Sequence, residues 1–161
     1  MAADIFIKLG NIEGESRDDK HAKEIDVLQW GWGLSQSGSA HQASGAGAGK
    51  VKVQDLTFTK YVDKATTALV LAACKGTHYD KAVLTVRKAG DKPLEYLKIT
   101  MEDLLVTNIT TGGSGGEDRL VENVTLNFAK FKVEYTEQDA KGAGGKTSTA
   151  AWDISANKAI G

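Results

Sequence analysis

The chain of 161 residues carries 20 basic and 21 acidic side chains, a formal charge of −1, which leaves no electrostatic footprint for nucleic acid or for an anionic membrane. Its length supports one domain over 1–161 with a real core, since a domain of this size buries roughly 70% of the surface its unfolded chain exposes. One cysteine and three histidines make neither an internal disulfide nor a zinc set at a recognised spacing, so a reducing compartment and no metal or cofactor are expected.

The chain opens MAADIFIKLGNIEGESRDDK, without a basic region leading into a long apolar run, and nowhere do 18 apolar residues follow one another. Neither a conventional signal peptide nor a membrane insertion is expected. DIFIKLG (4–10) is the first segment rich in strand-forming residues. ESRDDKHAKE (15–24) gathers charges of both signs around His21 and reads as a solvated loop rather than a catalytic cluster. EIDVLQWGWG (24–33) alternates again. Leu28, Trp30 and Trp32 are assigned to the core, with Val27, Gln29 and Gly31 on the opposite face. The stretch from 33 to 49, GLSQSGSAHQASGAGAG, is a long loop with few side chains to anchor it, and loops of that length are usually functional or disordered.

KVKVQDLTFTKY (50–61) changes phase in its middle, because Val51 and Val53 give way to Leu56 and Phe58 across Gln54 and Asp55. DKATTALVLAACKG (63–76) is the one helical pattern: Asp63 is placed to cap it, Ala65, Ala68, Leu69, Ala72 and Ala73 share a face, and Gly76 can end it in a left-handed conformation. Val70, Leu71 and Cys74 lie on its other side, which predicts burial on more than one flank and makes Cys74 a core thiol. Strands follow at KAVLTVRKAG (81–90), LEYLKITMEDLLVTNIT (94–110) and RLVENVTLNFAKFKVEY (119–135), the last two joined by a flexible hairpin loop, TGGSGGED (111–118). In the last strand the apolar set Val124, Leu126, Phe128 jumps to Phe131, Val133, Tyr135. A bulge or sharp bend near Ala129 would correct that slip, and bends of this kind form the corners of a small closed barrel. The sequons at Asn108 and Asn123 fall inside strands and read as ladder residues.

AKGAGGKT (140–147) matches a phosphate-binding loop if its first glycine is relaxed to alanine. Such a loop needs a buried strand before it, a helix after it and a later strand with a magnesium-binding aspartate. The remaining STAAWDISANKAIG is too short for these, so flexible glycine turns are expected and nucleotide binding through Ala140–Thr147 is the lesser reading. A more unusual feature is the second face of the strands. Gln29 and Gly31, Thr57 and Thr59, and Thr125 and Asn127 all lie opposite core positions, and the face they make is polar without charge. It is either a solvated exterior or the wall of something larger.

Several segments in consistent order and spacing resemble one family. They are GES-x-D-x-x-H-x-x-EIDV-x-x-W-x-WG (14–33), VQDLTFTKYVDKAT (53–66), AC-x-G-x-H (73–78), LTVRKAG, EYLKITM, GGSGGEDRLVENVTLNFAK and WDI (152–154), and the resemblance is to the haemolysin-coregulated (Hcp) proteins of type VI secretion systems. It implies a mainly β fold, a small closed β-barrel of two packed sheets with one flanking α-helix and a long extended loop. It also implies a homohexameric ring, rings stacked into a hollow tube within a contractile sheath and behind a spike protein, and small effector proteins carried in the lumen. A phage-type tail tube would share this architecture. On the resemblance, Gln29, Gly31, Thr57 and Thr59 face the lumen. Ser39, Ala40, His41, Gln42, Ala43 and Ser44 lie in a loop reaching the adjacent ring, and Val70, Leu71 and Cys74 bury against a neighbouring subunit. The family often has serine between the two tryptophans, where this chain has Gly31. No catalytic role is implied, and with the chain ending at Gly161 a plain tube subunit is expected.

Overall fold

A computed structural model describes residues 2–37, 50–90, 92–139 and 144–161. In chain order these form β1 (Ala3–Leu9), β2 (Ile25–Asp26), β3 (Gln29–Gly31), β4 (Leu34–Ser35), β5 (Lys52–Val53), β6 (Leu56–Tyr61), α1 (Ala65–Lys75), β7 (His78–Lys88), β8 (Leu94–Gly112), β9 (Val121–Gln138), β10 (Gly144–Asp153) and β11 (Lys158–Ala159). One sheet runs β11-β10-β9-β8-β7-β1-β2, with β6 on β9 and β3 on β6, while β4 and β5 make a separate ribbon. Every pairing among the described residues is antiparallel.

The phase change in β9 is a change of partner. Along one edge, residues Val121 to Leu126 pair with β6 and residues Lys130 to Gln138 pair with β10. Ala129 lies at the exchange, its carbonyl accepting from the Ile154 N–H at 2.9 Å. The inward set moves there from Val124, Leu126 and Phe128 to Phe131. Register with β8 runs unbroken through this point, Leu104 facing Phe128 and Glu102 facing Lys130, so the strand bends without an inserted residue. Asp103, opposite Ala129, takes up the distortion with φ 53°. The bulge in this ladder falls on β8, between Val106 and Asn108.

Segment 24–33 is cut in the same manner, and this corrects its expected facing. Val27 donates to the Ile5 carbonyl of β1, and the next residue, Leu28, donates to the Thr59 carbonyl of β6. Crossing between two strands resets the alternation: Val27 is 7% exposed and belongs to the core, whereas Leu28 is 44% exposed. Trp30 and Trp32 do pack on the core as expected. The circuit β1-β7-β8-β9-β6 therefore returns to β1 through residues 25–31, where chain continuity from β2 to β3 takes the place of a ladder. Residues 50–61 are likewise interrupted at Gln54 and Asp55, so β5 pairs with β4 and β6 with β3 and β9.

Ile7, Ile25, Phe58, Leu84, Met101, Leu104 and Leu126 fill the interior, each at most 1% exposed, and each such side chain contributes about 1.5–3 kcal/mol through burial. Helix α1 packs on β8 through Ala65, Leu69 and Ala72, with Ala68 and Ala73 half-buried beside them. The Asp63 carboxylate accepts from the Ala65 N–H at 2.9 Å while its own N–H donates to Thr66 Oγ1 at 3.1 Å, a reciprocal cap in which threonine takes the usual glutamate position. Gly76 closes the helix at φ 63°, its N–H bonded to the Ala72 carbonyl. Space around Gly76 is open, so Gly76→Ala is expected to cost only the left-handed backbone penalty, about 1 kcal/mol, read as a lower midpoint in urea with an unchanged slope.

Two expectations are corrected on the helix and the tail. Val70 and Leu71 are exposed, and so is Cys74, which is not a core thiol; the buried stripe is narrow because α1 has sheet on one side. Residues 144–147, expected as glycine turns, open β10, which pairs with the far half of β9.

Candidate functional site

The charge-free face expected from the alternation is present and wider than the sequence reading drew it. Gln29 lies beside Thr59, Thr59 beside Asn123 and Asn123 beside Thr110; one step along, Gly31, Thr57, Thr125 and Asn108 make a parallel row. Trp30, Phe58, Val124 and Ile109 occupy the row between and turn the other way, onto the core. One face of these four strands is thus packed, and the other is a patch of eight residues without an ionisable group.

The patch hydrogen-bonds within itself. Thr59 Oγ1 donates to Asn123 Oδ1 at 2.6 Å and Thr57 Oγ1 to the Gly31 carbonyl at 3.5 Å. Thr107, the extra residue of the β8 bulge, donates to the Thr125 carbonyl at 3.4 Å. Beyond Thr57 and Thr125, Asp55 accepts from Asn127 Nδ2 at 2.8 Å. At Gly31 a Cβ would meet only Thr57 Oγ1, at 3.7 Å, so the position is flat by choice of residue and not because space is short. Asn108, Thr110 and Asn123 were legible as ladder residues but not as part of the patch, because which strands adjoin is not written in any one of them.

Directly behind the patch lies a charged cluster that sequence reasoning missed. Lys60 and Glu122 are cross-strand neighbours on the inward side, both fully buried. Lys60 Nζ pairs with Glu122 Oε2 and, at 2.9 Å, with Asp63 Oδ1; Thr66 Oγ1 donates to Glu122 Oε2 at 2.7 Å. The cluster joins β6, β9 and the start of α1, and leaves Glu122 Oε1 without a partner among the described residues. The signal was available, since Lys60 continues the inward series Leu56, Phe58 and Glu122 precedes Val124 and Leu126.

The run 15–24 lies largely at the surface as expected, with Glu15, Arg17, Asp19, Lys20, Ala22 and Lys23 exposed, but two of its side chains are built into the fold. His21 is buried, stacked on Phe6 with ring centroids 4.4 Å apart. Arg87 on β7 holds Asp18 through two hydrogen bonds at 2.9 and 2.6 Å and Asp4 through one at 3.0 Å. That guanidinium keeps the Asp18 carboxyl well below the usual carboxylate range, so this tie persists into acid.

Val70, Leu71 and Cys74 are together on the outer side of α1. Residues 39–44 lie outside the described residues. Of AKGAGGKT, Gly144–Thr147 open strand β10, with Thr147 Oγ1 2.9 Å from Thr136 Oγ1, and a strand rather than a helix follows. Among the described residues no group of three or more His, Cys, Asp or Glu is placed to hold a metal ion, and no helix is long and apolar enough to cross a membrane.

The described residues thus make a mainly β molecule with one packed sheet face and one neutral polar face. Comparison with known proteins gives the family. A family model described as "Type VI secretion system effector, Hcp" matches residues 6–135. The chain is 59% identical over 160 residues to protein hcp1 of Pseudomonas aeruginosa, covering 98% of each. It superposes on Hcp1 of Salmonella typhimurium with a TM-score of 0.82 at 41% identity, covering 99% of this chain and 100% of that one. Another solved type six secretion system protein superposes with a TM-score of 0.92 at 29% identity, over 99% and 100%. The chain belongs to the Hcp family, the secreted structural proteins of type VI secretion systems.

Proposed function

We propose that the chain is a tube subunit: six copies close into a ring, rings stack into a hollow tube propelled by the contractile sheath behind a spike protein, and the lumen carries small effector proteins. The protein is cytoplasmic until the system fires and is then delivered outside the cell or into a target. The observation that carries this reading is the eight-residue neutral patch backed by core. An inner wall must touch varied cargo without binding it irreversibly, and threonine, asparagine and glutamine exchange hydrogen bonds with water or cargo at little net cost. Charges there would set a field selecting cargo by sign. In this arrangement Gln29, Gly31, Thr57 and Thr59 face the lumen, and Val70, Leu71 and Cys74 meet the next subunit. Residues 39–44 reach the adjacent ring.

Gly31→Arg tests the luminal assignment. The open space at Gly31 predicts a stability change within about 0.5 kcal/mol, and rings that still form. Retention of co-purified cargo should fall at least about tenfold, the effect of about 1.4 kcal/mol. Cargo binding equal to that of the unaltered protein would remove this face from the lumen.

A further inference from the structure

We propose that His21 is a proton-dependent clasp holding the seam between β1 and β6, where residues 25–31 cross without a ladder, closed while its ring carries two protons and loosened when one leaves.

His21 Nδ1 lies 2.9 Å from Glu24 Oε2, and Nε2 lies 2.5 Å from Glu95 Oε1. A carboxylate accepts, so both glutamates are satisfied at once only by a ring that donates from both nitrogens. Phe6 covers one ring face and fixes the plane in which the two bonds lie. The surrounding charges come from every element packed there. Asp18, Lys20 and Glu24 belong to the loop itself, Asp4 to β1, Arg87 to β7, and Glu95 and Lys98 to β8, while Glu134 of β9 lines the same hollow. Arg87 is committed to Asp4 and Asp18, and Lys98 stands 3.9 Å from Glu95. Neither therefore replaces the proton between His21 and the two glutamates.

The effect reaches the seam because His21 lies only four residues before β2. That strand is short, pairing Phe6 with Asp26 and Ile7 with Ile25 and extended by the Val27 N–H bond to the Ile5 carbonyl, and it leads directly into Gln29 and Gly31. The preceding loop is folded by Gly14, Ser16 and Lys23, whose N–H groups donate to Lys23, Glu24 and Ser16 carbonyls at 2.7, 3.0 and 2.8 Å. Removing one ring proton turns a nitrogen lone pair towards a carboxylate and replaces a charge-assisted bond by repulsion. The contact therefore holds while both ring nitrogens carry protons and is given up when one of them is removed. The Asp18–Arg87 tie does not depend on that proton, so the loop stays attached at one end while the His21 end opens.

The test is ring 15N chemical shifts of His21 with amide hydrogen exchange across the same pH series, corrected for intrinsic rates, on the full chain. The expected result is an imidazolium with both nitrogens protonated at the low end. Loss of that state on raising the pH should reduce protection at Gly14, Ser16 and Lys23 by at least about tenfold, the scale of one charge-assisted hydrogen bond, while β7–β8 amides hold theirs. Glu95→Gln, which can still bond but carries no charge, should reduce the pH dependence without unfolding the sheet. A neutral ring throughout, or protection independent of its titration, overturns the proposal; so does a Glu95→Gln profile identical to that of the unaltered chain.

Discussion

Lys60→Met is expected to lower stability by about 3–5 kcal/mol, the cost of leaving one member of a buried ion pair uncompensated. Glu122 is fully buried, one of its oxygens already lacks a partner among the described residues, and Lys60 Nζ is the cation that meets the other. Burying the pair was itself costly, so the double variant Lys60→Met/Glu122→Leu should regain most of the loss and can equal the native chain, because an apolar pair of similar volume avoids both desolvation penalties. The measurement is urea unfolding of all three proteins at a concentration where none assembles, compared at equal slope. A single variant within about 1 kcal/mol of the native protein would mean that the pair is hydrated and not sealed. The cluster sits between the start of α1 and the strands of the neutral patch, so its loss should also loosen the helix against the wall.

Leu71→Glu should abolish ring assembly while leaving the subunit folded. Leu71 is 55% exposed and Val70 beside it 40%, an apolar ridge on the side of α1 away from its sheet. A single exposed leucine needs no explanation; two adjacent ones on a helix offered to a neighbouring copy supply the apolar centre that heterologous ring contacts use. Introducing a carboxylate at such a centre costs at least about 2 kcal/mol per contact, and in a closed ring that cost recurs at every interface. Sedimentation velocity over a concentration series should show the variant remaining monomeric where the native chain assembles, with urea midpoints matching within about 0.5 kcal/mol. Assembly at native concentration would exclude this flank of α1 from the subunit interface.

How much of this was legible in the sequence depends on where the chain changes neighbours. Strand interiors were readable because period-2 alternation records a single packed face, as in Leu56 and Phe58 or Val124 and Leu126. The slip at Ala129 was readable as a bend, but its cause, β6 giving way to β10 along the same edge, belongs to tertiary pairing. The same exchange at Val27–Leu28 misled the reading, because a continuous alternation was carried across a point where the hydrogen-bond partner moves from Ile5 to Thr59. β10 was missed because GGKTSTA, exposed throughout, has no apolar period and owes its order to the ladder with β9. His21 and Arg87 were missed for a different reason. A mixed-charge run is ordinarily solvated, and only the folded sheet brings Glu95 and Phe6 to within reach of the imidazole. The family resemblance was carried by ordered motifs across the whole chain and did not depend on those local errors. The patch of neutral residues lay between the two cases: its members could be named strand by strand, and their adjacency could not.

The most direct test of the tube reading is native mass spectrometry of the purified protein, paired with electron microscopy of the same sample. The account predicts a species of six times the 17.1 kDa subunit mass, seen end-on as a hollow six-fold ring. A folded subunit that stays monomeric at every concentration tried, or a closed particle without a lumen, would contradict it.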